Sequence, residues 1–94
     1  MKTNKELNKI QKGLVGKRFN SIGQLDLHLS NELETDISLE KYENTYFTNC
    51  DYALKYDLSY DNYRDLNIII FYLKDRKNNL FITEAYINVE KRYE

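Results

Sequence analysis

The chain predicts an α+β domain: two N-terminal helices packed on an antiparallel β-meander of three or four strands. Three observations predict it. Apolar residues recur at helical spacing up to about residue 34, they recur at spacing two from about residue 42, and the polar segment KDRKNN separates two strongly apolar runs near the C-terminus. At 94 residues, one hydrophobic core is available and a second domain does not fit, so residues 1–94 read as a single domain.

The first helix is expected at about residues 4–14. Thr3 with Glu6 three positions on has the form of a capping box, and Leu7, Ile10 and Leu14 then share one face. Gly13 and Gly16 bracket its end. A second helix is expected at about 21–34, where Ser21 and Gln24 give another start signal and Ile22, Leu25, Leu29 and Leu33 line a face. The stretch QLDLHLS inside it also alternates as a strand would. The cap and the continuation of the helical face to Leu33 favour helix, and ETDIS ends it.

The third element is a strand at about 50–58. Cys50, Tyr52, Leu54, Tyr56 and Leu58 alternate with Asp51, Ala53, Lys55, Asp57 and Ser59, so the tyrosines face inward and the aspartates face water. Whether residues 42–48 form a separate strand or extend this one is open at this level, with Asn49 a candidate turn between them. A strand at about 66–74 follows, LNIIIFYLK, apolar on both parities as a central strand is. The last strand spans about 80–90, after a hairpin tip in which Asn78 and Asn79 suit left-handed turn positions.

The two apolar parities of the central strand raise a question about cover. With an even hairpin loop, Ile68, Ile70 and Tyr72 share a face with Phe81, Ala85, Ile87 and Val89, the natural seat of the helices. Ile69, Phe71 and Leu73 then share the other face with Ile82, Glu84 and Tyr86. Two short helices seldom cover both faces, so the second face is expected to bind a protein or a second copy of the chain, to form a homodimer, unless the first helix or the 34–48 segment folds over it.

Composition excludes several function classes. With 41% hydrophobic and 31% charged residues, nine Tyr and four Phe, the chain is too aromatic for a disordered tail and too charged for a bilayer span. No apolar leader is visible in MKTNKELNKIQK, which predicts a cytoplasmic protein. Catalytic constellations are missing. His28, the one histidine, falls beside the apolar stripe of the second helix, and the single cysteine, Cys50, reads as a small core residue. Asp51 and Asp57 form a solvated row that makes a poor metal cage, and Gly13, Gly16 and Gly23 make no phosphate loop. No enzyme activity, cofactor or metal is expected.

Charge is the remaining guide. Residues 1–18 hold six cations against Glu6, whereas residues 26–65 hold ten acids against Lys41, Lys55 and Arg64, in a chain of net charge −1. The segment YDNYRD at 60–65 breaks the strand alternation, so Tyr60 and Tyr63 are free to face outward among Asp57, Asp61 and Asp65. Tyrosine among carboxylates suits an Arg- or Lys-rich protein partner. The expected function is a non-enzymatic protein-binding module of the kind small phage or mobile-element inhibitors represent, occluding a basic, nucleic-acid-handling protein. Its expected partner-binding residues are Asp51, Asp57, Tyr60, Asp61, Tyr63, Asp65, Phe71 and Tyr86. The alternative is a small nucleic-acid-binding or regulatory protein using the basic stripe Lys5, Lys9 and Lys12 with Lys17 and Arg18.

Overall fold

A computed structural model describes residues 2–37, 41–45 and 52–92 of the chain. The expected inward Cys50, outward Asp51 and turn at Asn49 lie outside the described residues. Helix α1 runs Asn4–Leu14, strand β1 Arg18–Phe19, helix α2 Ile22–Leu33, and strands β2 to β5 Lys41–Thr45, Tyr52–Ser59, Arg64–Lys74 and Leu80–Lys91. The strands form one antiparallel sheet in the order β1-β5-β4-β3-β2.

Local chemistry sets the helix starts. The Thr3 hydroxyl accepts from the Glu6 amide at 3.1 Å while the Glu6 carboxylate accepts from the Thr3 amide at 3.0 Å, a complete capping box. The Ser21 hydroxyl accepts from the Gln24 amide at 3.2 Å. QLDLHLS is helical, with Leu25 and Leu29 buried and Leu27 exposed, so the helical period wins over the alternation it imitates.

Two short strands complete the sheet, one left open by the sequence and one not foreseen. Residues 41–45 form a separate strand paired with β3, which resolves the question left open at 42–48. The dipeptide Arg18–Phe19 forms β1 against Phe81 and Leu80, because the α1–α2 connection passes along the β5 edge. Gly16, at φ 89°, makes the turn into it and donates its amide to the Ile82 carbonyl at 2.9 Å.

Both helices seat on one face of the sheet. The core joins Leu7 and Leu14 of α1 and Leu25, Leu29 and Leu33 of α2 to Leu54, Tyr56, Ile68, Ile70 and Tyr72. On β5 the core residues are Leu80, Ile82, Ala85 and Ile87, and this corrects the expected register. The β4–β5 loop has the odd length that pairs Lys74 with Leu80, which turns Ile82 inward beside Tyr72 and Phe81 outward beside Leu73. A β-bulge at Thr83 then restores the expected parity, so Ala85 lies opposite Ile70 and Tyr86 opposite Ile69. The Thr83 hydroxyl donates to the Phe71 carbonyl at 3.2 Å, anchoring the extra residue.

Candidate functional site

The outer face of the sheet is a ladder of rows across β3, β4 and β5, fixed by the antiparallel register. One end is acidic, where Asp65 lies between Ser59 and Glu90, and Asn67 lies between Asp57 and Asn88. The middle is apolar, with Ile69 between Lys55 and Tyr86 and Phe71 between Ala53 and Glu84. The far end holds Leu73 beside Phe81, which pairs in turn with Arg18 of β1.

Exposure along this ladder decides its character. Ile69, Phe71, Leu73 and Phe81 are only half-buried, and Tyr86 is 43% exposed. Among the described residues no helix covers these side chains. Phe71 meets Tyr86 edge-to-face with ring centroids 6.3 Å apart, so the centre is a packed aromatic pair with one side in water. The Arg18 guanidinium lies 4.9 Å from the Phe81 ring centroid and 3.3 Å from Asp75 Oδ2. That places an ion-paired cation on the rim at the hairpin end.

The acidic end is itself structured. Asn67 donates its side-chain amide to Asp57. Asp65 Oδ1, shut off from solvent, lies 3.0 Å from Arg92 Nε in an ion pair without hydrogen-bond alignment. An open concavity of about 580 Å³ is lined here by Asp36, Asp57, Asp65, Asn67 and Glu90. Among the described residues no group of three or more His, Cys, Asp or Glu has the arrangement of a metal site.

The loop residues divide sharply. Tyr60 does not face outward: it is buried, its hydroxyl donates to the Leu33 carbonyl at 2.9 Å and accepts from the Lys2 amide at 2.9 Å. The reason is that this ring closes the core where the N-terminus, the end of α2 and the β3–β4 loop meet. Asp61 is the loop's internal cap. Its Oδ2 accepts from Arg64 Nη2 at 2.7 Å and Nε at 2.9 Å, and its Oδ1 accepts the Tyr63 and Arg64 amides at 2.9 and 2.8 Å. The Arg64 side chain first, and the Tyr63 amide second, hold the Asp61 carboxyl below the ordinary carboxylate range. Tyr63 alone of the two loop tyrosines stands in water, at 70% exposure.

The expected site residues therefore fall into three places. Asp57, Asp65, Phe71 and Tyr86 share the outer face. Asp61 and Tyr63 sit in the loop beyond its acidic end, and Tyr60 belongs to the core. Lys5, Lys9, Lys12 and Lys17 are exposed on and after α1, whereas Arg18 joins the rim of the outer face.

Sequence reasoning missed Phe81, Arg18 and Glu90 as members of this surface. Phe81 was hidden by the loop length and the bulge, and a two-residue strand leaves no periodic signal for Arg18. It also missed the buried Asp26, which accepts from the Tyr56 hydroxyl at 2.8 Å beneath α2. Comparison with family models, with curated proteins and with solved structures returns no match for this chain.

Proposed function

We propose that the chain is a non-enzymatic protein-binding module whose working surface is the open face of the sheet. The observation that carries this reading is the Phe71–Tyr86 pair, in which Tyr86 is 43% exposed and Phe71 is part-exposed, with both helices on the opposite side. Such a centre is a hot-spot geometry: large, rigid rings that lose little entropy on docking, surrounded by polar residues that exclude water once a partner arrives. Asp57, Asp65 and Glu90 at one end suit a partner that brings Arg or Lys to that end. Covering a basic surface in this way is how the module would occlude a nucleic-acid-handling protein.

The test uses fluorescence anisotropy with a labelled peptide carrying alternating Arg and Leu, and with a labelled DNA duplex beside it. The peptide is expected to bind and to lose most of its affinity with Tyr86→Asp. Binding of the peptide that is indifferent to Tyr86→Asp and to Asp57→Lys would overturn the reading.

A second reading has its own observation, the exposed basic stripe Lys5, Lys9 and Lys12. It supports nucleic-acid binding through α1. In that case the duplex binds instead, with an affinity that falls steeply as salt rises and drops when the three lysines become Glu.

A further inference from the structure

We infer that the tip of the β4–β5 hairpin contacts the phosphate backbone of a nucleic-acid duplex. This rests on the second reading, nucleic-acid binding, and moves its contact surface from α1 to the hairpin.

The tip is a fixed turn that displays cations. The Asp75 amide donates to the Asn79 carbonyl at 3.0 Å, the Asn78 amide donates to the Asp75 carbonyl at 2.9 Å, and Asn78 takes the left-handed conformation at φ 66°. An open concavity of about 400 Å³ at this tip is lined by Arg18, Asp75, Arg76, Lys77 and Asn79. Asp75 is the one carboxylate among them, and its charge is answered inside the chain. Its Oδ1 accepts the Lys77 and Asn79 amides at 2.9 Å, and its Oδ2 lies 3.3 Å from Arg18 Nη1. Arg18 and Asp75 therefore cancel. Arg76 and Lys77 are exposed, and among the described residues no ion pair holds either side chain. Lys74, exposed at the end of β4, adds a third cation.

Positive charge alone would admit an acidic protein, and the rest of the tip favours phosphate. Its exposed residues Arg76, Lys77 and Asn78 are polar throughout, so the apolar anchor around which a protein interface is built is missing. Guanidinium, ammonium and side-chain amide donors are the groups that hold phosphate oxygens. A duplex fits better than a single strand, because single strands are held by bases stacking on open aromatic rings. The rings at this end are covered. Lys74 Nζ lies 4.5 Å from the Tyr52 ring centroid, Tyr72 stacks on the same ring at 5.3 Å, and the Arg18 guanidinium lies over Phe81.

Position separates the hairpin from α1. Lys9 lines a groove together with Glu6 and Glu32, and Lys2 pairs with Glu6 and Glu34, so acids share that side with the lysines. Asp57, Asp65 and Glu90 stand at the far end of the sheet from the hairpin. A polyanion is repelled from that end, and a chain of net charge −1 meets it tip first.

The contact is small, and salt measures it. Each neutralised phosphate contributes about −0.9 to the slope of log affinity against log salt, so three cations predict a slope of about −3. Binding sits at the weak end of the nonspecific range, about 10⁻⁴ M at physiological salt, and tightens about 200-fold on dilution to about 20 mM.

Fluorescence anisotropy of a labelled duplex across that salt range tests it, with the fold of each variant checked by circular dichroism. Lys74→Gln, Arg76→Gln and Lys77→Gln, each alone, are expected to lower the steepness of the slope by about one and to weaken unrelated sequences alike. A slope and affinity indifferent to Arg76→Gln and Lys77→Gln overturn the inference. A Glu-rich peptide of equal net charge that binds the tip as tightly as the duplex overturns it too. The two levels separate: a duplex lost only when Lys5, Lys9 and Lys12 are changed to Gln keeps nucleic-acid binding and removes the hairpin, and a chain that binds no duplex at about 20 mM salt removes both.

Discussion

Tyr56 and Asp26 meet where α2 crosses β3, the phenol fully buried and the carboxylate nearly so. A buried carboxylate is tolerated only while it is hydrogen-bonded, so Tyr56→Phe should destabilise the fold by about 1–3 kcal/mol in urea unfolding, more than the loss of a surface bond. Burial first, and the Asp26 bond second, push the Tyr56 hydroxyl far above the ordinary tyrosine range. The sign follows from that direction. Its contribution is fully present below pH of about 10, where an unfolded tyrosine begins to ionise, and is lost as pH rises beyond it. Alkaline titration of the wild type is expected to show this fall in stability, and Tyr56→Phe to lack that component. The Asp61 carboxyl works in the opposite direction: held low by Arg64, it contributes above pH of about 4 and loses its contribution as acid protonates it. At this scale the sequence was legible for Tyr56, whose parity marked it as core. It was misleading for Tyr60, because a residue outside strand alternation has no period to read and only the convergence of three chain segments turns it inward.

The β4–β5 hairpin shows how an element can keep its overall parity through two compensating departures. The loop from Asp75 to Asn79 closes on the Asp75 side chain, which accepts the Lys77 and Asn79 amides at 2.9 Å, and Asn78 takes the left-handed conformation at φ 66°. Thr83 then adds the residue that brings Ala85 and Ile87 back to the core. Alternation could give Ala85, Ile87 and Tyr86 their faces, since these lie beyond the bulge. It could not give Phe81 and Ile82 theirs, because an odd loop and a bulge cancel over the length of the strand and leave no trace except between them. The two faces of β4 carry unequal energetic loads. Ile70→Ala, on the helix side, should cost about 2–5 kcal/mol in urea unfolding. Phe71→Ala, on the outer side and part-exposed, should cost less despite the larger side chain. Equal losses would mean that the outer face is covered within the monomer.

Across the whole molecule, the charge asymmetry of the sequence divides between two sides: Lys5, Lys9, Lys12 and Lys17 stay on and after α1, and Asp57, Asp65 and Glu90 lie on the outer face of the sheet. Asp57, Asp65 and Glu90 gather at the β3–β4 loop end, Glu84 sits beside Phe71 in the middle, and Arg18 joins the hairpin end through β1, paired with Asp75. Linear charge counting saw the two poles but assigned Arg18 to the basic helix stripe, since nothing in the sequence shows that residue 18 returns to the sheet. Among the described residues the helices cover the other side alone, and the Phe71–Tyr86 pair lies on the face away from them. The most direct test of that arrangement is hydroxyl-radical footprinting of Tyr86, read against Leu27, which is exposed on the far side of the molecule in α2. A binding surface on the outer face predicts that oxidation of Tyr86 falls when the Arg–Leu peptide is added in excess, while oxidation of Leu27 stays constant. Tyr86 oxidation that stays as unchanged as that of Leu27 while the peptide binds would contradict it.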